Sequence, residues 1–259
     1  MNDLRLIALP ALTDNYIWLL ADAAGSAIVV DPGVDKPVRE ACAREHLQLR
    51  AILLTHHHPD HIDGAAALAD STGAIVYSPH DGRIECADVR VGDGDALTLE
   101  DPALRFDVLA IPGHTLTHIA YQGHGLLFCG DTLFSVGCGR LFEGSPAQML
   151  ASLDRLAALP GDTLVCCGHE YTLANCVFAR TLDPANKALR LRTVQAEALR
   201  AHGAATLPVA LADECACNPF LRVDSPALMA ALDSDRCLDR VARFAELRRR
   251  KDHFRMPAQ

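Results

Sequence analysis

Four potential metal ligands, His56, His58, Asp60 and His61, fall within six residues of the stretch Thr55-His56-His57-His58-Pro59-Asp60-His61. An apolar run over 50–55 leads into this stretch and a helix start follows it, so the fold must deliver a dense polar cluster to the end of a buried strand. A cluster placed there is open on one side, as a catalytic metal site is and a closed structural one is not. In an extended segment His56 and His58 project to the same side, while Asp60 and His61 turn with the loop toward a second position. One short loop can therefore serve two metal ions. His57 points the opposite way and is expected to support the cluster without ligating.

The surrounding chain reads as layered α/β. Short apolar or alternating runs at 5–9, 16–21, 26–31, 50–55, 74–77, 104–110, 118–123, 125–130 and 163–168 suit strands of a sheet buried on one or both faces. Helices are expected over 36–46, over 64–73 with Gly73 as its stop, and from Ser145-Pro146 to Pro160-Gly161. After about residue 172 the pattern becomes helical alone: 185–202 with Leu189, Leu191, Val194 and Leu199 as its apolar set, then helices opening at Ser225 and at Ser234. The expected division is a catalytic domain over 1–172 and a helical domain over 173–259. Gly92 and Gly94 read as a turn, since a phosphate loop needs a strand before it and a helix after it.

Each metal ion needs ligands from elsewhere, and three later strand ends offer them. His114 follows Ile111-Pro112-Gly113, Asp131 follows Phe128-Cys129-Gly130, and His169 follows Cys167-Gly168. With Asp131 bridging, one ion takes His56, His58 and His114 and the other takes Asp60, His61 and His169. Nitrogen and carboxylate donors suit zinc, and iron or manganese also accept such a set.

These segments resemble the metallo-β-lactamase fold superfamily, and within it the glyoxalase II, or hydroxyacylglutathione hydrolase, family. Beyond the metal motif the likeness is carried by Leu12-Thr13-Asp14-Asn15-Tyr16, Asp131-Thr132-Leu133-Phe134, Gly137-Cys138-Gly139-Arg140, Gly168-His169-Glu170-Tyr171, Asn218-Pro219-Phe220-Leu221-Arg222 and Lys251-Asp252 with Phe254. The resemblance spans essentially the whole chain. It implies a four-layer αββα domain with a two-metal site at one edge, followed by a smaller α-helical domain that helps to hold glutathione. It implies hydrolysis of S-D-lactoylglutathione to D-lactate and glutathione, the second step of methylglyoxal detoxification. It carries the glutathione contacts to Arg140, Tyr171, Arg248 and Lys251. The chain departs from the family at Phe142, where many members have tyrosine and so a phenol hydrogen bond to the ligand.

The chemistry also follows from the residues. Two metal ions lower the pKa of a shared water and polarise a thioester carbonyl, so no serine or cysteine nucleophile is needed. A thiolate leaves without a strong general acid, and Asp60 is expected both to ligate and to orient the attacking hydroxide. Glutathione carries two carboxylates, and the last twenty residues hold seven basic and two acidic side chains, net +5 in a chain of net −9, so the preceding 239 carry −14. A cationic end can meet a small anion, whereas an acidic body with 5% aromatic residues excludes a broad nucleic-acid surface. With 50% hydrophobic and 22% charged residues in 259, the chain is a globule and neither a disordered nor a coiled-coil protein. No apolar run nears the ~18 residues of a membrane span. The ten cysteines contain no Cys-x-x-Cys pair. Together with a start that lacks a signal-peptide pattern, they lead to the expectation of a cytoplasmic monomer with reduced thiols, acting on a small-molecule glutathione thioester away from membranes. The alternatives on the same scaffold are a hydrolase of another thioester or a lactone, and, less favoured, a glutathione persulfide dioxygenase.

Overall fold

Valine, isoleucine, leucine and aromatic runs punctuated by Gly, Pro and Asp give the first 130 residues their strands. The computed structural model describes residues 4–233 and 237–256. Its strands are β1 (Arg5–Ala11), β2 (Asn15–Ala21), β3 (Ser26–Val30), β4 (Gln48–Leu53), β5 (Ile75–Pro79), β6 (Val89–Val91), β7 (Ala96–Glu100), β8 (Ala103–Ala110), β9 (Ile119–Gly123), β10 (Leu126–Gly130), β11 (Leu133–Phe134), β12 (Gly137–Cys138), β13 (Leu164–Cys167) and β14 (Val209–Ala210). Its helices are α1 (Lys36–Glu45), α2 (Pro59–Ile62), α3 (Ala65–Thr72), α4 (Pro146–Ala157), α5 (Thr172–Leu182), α6 (Lys187–Ala201), α7 (Leu211–Cys217), α8 (Pro226–Leu232) and α9 (Arg240–His253). The chain forms two compact units: Met1–Ala110, Thr117–Gly130 and Cys166–His169 make the first; Ile111–Leu116, Asp131–Val165 and Glu170–Gln259 make the second.

In the first unit, β1 to β6 form one sheet in chain order. The β1, β2 and β3 pairings are antiparallel, whereas β3 to β6 run parallel. Parallel neighbours need a crossover, supplied by α1 between β3 and β4 and by α2 with α3 between β4 and β5. The residues that leave the carboxyl ends of β3 and β4, Asp31 and the 54–61 segment, therefore emerge at the same sheet edge. Ile17, Leu19, Val29 and Ile52 pack with Val38 and Ala41 of α1 and Leu68 of α3 into one core. The opposite face meets a second sheet, a β7-β8-β9-β10 meander extended beyond β10 by β13. Two buried donors cross between the sheets: Trp18 Nε1 donates to the Cys167 carbonyl at 2.9 Å and Tyr121 OH to the Leu54 carbonyl at 3.0 Å. All seven residues of β2 are buried, as expected of a strand covered on both faces.

The second unit holds the β11–β12 hairpin, α4 to α9, and the short pairing of Leu164 and Val165 with β14. Helix α4 begins at Ser145 with a capping box, Ser145 Oγ accepting from Gln148 N and the Gln148 side chain from Ser145 N. Three expectations change here. The region after 172 is not helical alone, since β14 lies within it. The helix expected to open at Ser234 has its start outside the described residues; α9 begins at Arg240, where Asp239 caps it by accepting from Ala242 N at 2.8 Å. The apolar set of 185–202 does not face inward as a group, because Leu191 and Val194 are 60% and 61% exposed. Leu189, Arg192, Thr193 and Ala196 form the buried stripe instead. Arg192 occupies it because its guanidinium donates to Ser135 Oγ and the Thr206 carbonyl, which meets the cost of burying a charge. Among the described residues no helix is long and apolar enough to cross a membrane.

Candidate functional site

The first unit carries five of the seven expected ligands, His56, His58, Asp60, His61 and His169. Asp60 Oδ2 lies 3.5 Å from His61 Nε2 and 3.4 Å from His169 Nε2, and the two nitrogens are 3.3 Å apart. That is a nearly equilateral triangle of donors. A tetrahedral ion with ligands at about 2.0–2.2 Å requires neighbouring donors about 3.3–3.6 Å apart, so the triangle has the size of one coordination face. The outer ring nitrogens are already used: His61 Nδ1 faces Asp31 Oδ2 at 3.1 Å and His169 Nδ1 faces Asp14 Oδ1 at 2.8 Å. With Nδ1 of each ring turned to a carboxylate, the two Nε2 atoms face each other from buried positions, where a cation could take both as ligands. The donor set fits a metal ion.

His56 and His58 form the second cluster of this unit. Thr55 donates its N–H and hydroxyl to Asp31 at 2.8 and 2.7 Å, leaving Thr55 Oγ1 to accept from His56 Nδ1 at 3.0 Å. His56 Nε2 then lies 3.1 Å from His58 Nδ1. Asp31 thus steers both clusters, through Thr55 to His56 and directly to His61. His57 turns away as expected, its Nδ1 3.5 Å from Asp81. His118, for which the sequence offers no ligand-like context, is fully buried with its ring stacked on His56 at 4.5 Å. Close backbone approach explains two glycines. A Cβ on Gly33 would collide with the Asp60 carbonyl, and one on Gly130, which has φ +45°, would collide with Thr55 Oγ1.

His114 and Asp131 belong to the second unit, His114 Nε2 lying 3.5 Å from Asp131 Oδ2. His114 Nδ1 donates to the Arg140 carbonyl at 2.9 Å, which leaves Nε2 as the ligating nitrogen. The same unit contains a cavity of about 440 Å³ whose lining includes both of these residues and all four expected glutathione contacts, Arg140, Tyr171, Arg248 and Lys251. Arg248 is buried and donates to the Cys138 carbonyl at 2.7 Å and to Asp252 at 3.0 Å, so it braces the 138–140 wall as well as lining it. The Lys251 ammonium sits 5.3 and 5.8 Å from the Phe178 and Phe254 rings. Burial, then the positive charges of Arg248 and Arg140, hold its pKa down to about 8. Burial pushes the Cys138 thiol up to about 11, so it is no nucleophile at neutral pH. Phe142, 63% exposed, completes the rim where a phenol was missed.

Behind that wall lies a buried network that sequence reasoning did not find. The Glu214 carboxylate accepts from Ser135 Oγ at 2.6 Å, Val136 N at 2.7 Å and Asn218 Nδ2 at 3.0 Å. Asn218 also donates to the Phe134 and Gly137 carbonyls, and Asn175 to the Ser135 carbonyl. Desolvation raises the Glu214 pKa against these donors. The network fixes the β11–β12 hairpin that leads from Asp131 to Arg140. Its one visible signal in the sequence is the Asn218-Pro219-Phe220-Leu221-Arg222 run.

Comparison with known proteins decides the lineage. A model described as the metallo-beta-lactamase superfamily matches residues 12–169 and one described as the hydroxyacylglutathione hydrolase C-terminus matches 170–254. A hydroxyacylglutathione hydrolase of Xanthomonas campestris pv. campestris is 52% identical over 256 residues, 97% of this chain and 100% of that protein. The chain belongs to the hydroxyacylglutathione hydrolase family. Its fold is accordingly the αββα metallo-β-lactamase domain followed by the family's helical C-terminal domain. Among solved structures, ETHE1 from Myxococcus xanthus is similar with a TM-score of 0.67 and 27% identity, over 98% of this chain and 92% of that one. A protein crystallised in a di-iron-bound form is similar with a TM-score of 0.58 and 25% identity, over 84% of this chain and all of the other. In a hydroxyacylglutathione hydrolase the His and Asp clusters above mark a two-metal site.

Proposed function

We propose that the protein hydrolyses the thioester of S-D-lactoylglutathione to D-lactate and glutathione. The observation that carries this is the Asp60, His61 and His169 triangle, a donor face of metal-ion size, in a chain 52% identical to a hydroxyacylglutathione hydrolase along its length. Asp60, His61 and His169 would hold one divalent ion, and His56, His58, His114 and Asp131 are the residues that would complete the metal site. Bound there, the ions supply an activated water and polarise the thioester carbonyl. Asp60 would serve both as a ligand and as the group that orients the attacking water. Arg140, Lys251 and Arg248 meet the carboxylates of the glutathione moiety by charge-assisted hydrogen bonds, and Tyr171 contributes a hydroxyl. The all-nitrogen and carboxylate donor set favours zinc, with iron or manganese as substitutes; the similar fold crystallised with two irons supports a binuclear centre.

In this reading residues 1–172 form the catalytic domain and 173–259 the glutathione-binding one. The enzyme works as a cytoplasmic monomer on a small molecule, away from nucleic acids and membranes. A lactonase, a hydrolase of other thioesters or a persulfide dioxygenase is not favoured, because the family of curated relatives is named for hydroxyacylglutathione hydrolysis. Thiol release from S-D-lactoylglutathione beside an unrelated thioester, with metal analysis of the same sample, tests the proposal. Selective release with about two ions per chain is the expected result. A sample that takes up no metal when it is supplied and releases no thiol, or a sample that turns over lactones and leaves lactoylglutathione untouched, overturns it.

A further inference from the structure

Asn15, in the Leu12-Thr13-Asp14-Asn15-Tyr16 segment, has no assigned part in the reaction. Each donor of the metal-sized triangle in the first unit has its own polar partner, Asp31 for His61 and Asp14 for His169. For Asp60 the partner is Asn15. Its Nδ2 donates to Asp60 Oδ2 at 2.9 Å and to the Asp60 carbonyl at 3.3 Å. Oδ2 is the oxygen that faces both imidazoles. Asn15 is itself 7% exposed and tied by a backbone bridge to His169, so one residue connects two of the three donors. The donors differ in how much they need such help. The side chains of His61 and His169 are 1% and 6% exposed and are fixed by packing, whereas that of Asp60 is 38% exposed on the one-turn helix α2. A carboxylate on a short exposed turn has several staggered rotamers open to it, and a fixed N–H on its ligating oxygen selects one.

We propose that Asn15 is a positioning residue whose amide locks the Asp60 carboxylate into the triangle and thereby governs how tightly this metal subsite holds its ion. The inference rests on the binuclear hydrolase reading, and it is tested by metal retention as well as by turnover. The test compares Asn15→Leu and Asn15→Ser with the wild-type holoenzyme after dialysis against a weak chelator, reading metal per chain, melting temperature with and without added zinc, kcat and KM. Loss of the Asn15 amide is expected to weaken the triangle's ion by ~10–100-fold, so that metal content falls from about two ions to about one. On the same grounds kcat should fall with occupancy, KM should stay within about twofold, and added zinc should restore most of the turnover. A merely structural role would give a kcat loss that zinc does not restore. Two ions retained with wild-type affinity in a folded variant, or a zinc-insensitive loss, overturns the proposal. Should the leucine variant not fold, the serine variant is placed in an Asp60→Asn background, where removing Asn15 should add no further metal loss; an additive loss overturns the proposal. A wild-type protein that retains metal and releases no thiol refutes the hydrolase reading alone, and metal retention still decides the role of Asn15.

Discussion

The metal-donor clusters of the first unit and the basic cavity of the second hold their functional side chains in opposite ways. In the first unit, short side chains just beyond strand ends each have a dedicated acceptor or donor: buried His61 with Asp31, buried His169 with Asp14, and half-buried Asp60 with Asn15. In the second, the cavity presents long cationic stems and aromatic rings, with the Arg140 side chain 61% exposed and Met256 48% exposed. The first arrangement fixes positions, as bond-making requires; the second leaves cationic side chains room to move, which suits the flexible tripeptide proposed as its ligand. Substitutions among the first unit's donors and their partners should therefore strike kcat and metal retention, and those at the cationic side chains of the second unit's cavity should strike KM.

The sharpest break is expected at Asp60. Asp60→Asn should lower kcat by ~10²–10⁴-fold with KM changed by no more than a few-fold, measured by steady-state thiol release at saturating metal. A large KM change with kcat intact would dissolve the contrast between the units. Next comes Asp31→Asn, which touches no substrate yet serves both His61 and Thr55; its metal affinity should weaken by ~10–100-fold, read by competition with a coloured chelator. In the second unit Lys251→Ala should raise KM by about tenfold or more, the value of one charge-assisted hydrogen bond, and leave kcat within about twofold.

The same lysine gives the cavity a pH dependence. Its folded pKa lies near 8, below the usual lysine value, so the ammonium proposed to bind a carboxylate is present below that pH and lost above it. The kcat/KM of the wild type should accordingly fall as pH rises through about 8. Lys251→Arg, charged throughout, should move that fall to higher pH, and a pH profile identical to wild type would remove Lys251 from binding. The smallest effect is expected from Phe142→Tyr: adding the phenol should lower KM by about two- to fivefold, equivalent to ~0.5–1 kcal/mol, with the metal content unchanged.

The layered α/β architecture and the ligand candidates were legible in the sequence because both rest on local pattern. Continuous apolar runs such as 16–21 announce doubly covered strands, and a polar residue immediately after such a run must sit at a strand end. The supporting partners were not legible. Asp14 and His169 meet across 155 positions, and no spacing rule reports that pairing. Helix α6 misled for a different reason: the buried position belongs to Arg192, whose charge hides its role from any apolar count until Ser135 and Thr206 are seen to receive it. The two-residue strands β11 and β12 are shorter than any period that could reveal them.

Gly33 leaves the loop no room on its inner side, since even a methyl group there would strike the Asp60 carbonyl. Backbone thus abuts backbone behind the carboxylate, and the 58–62 turn cannot yield toward Gly33. Whatever loosens it, whether chelation, heat or a poor substitution, should present this turn first to an added protease, with the sheet beneath still intact.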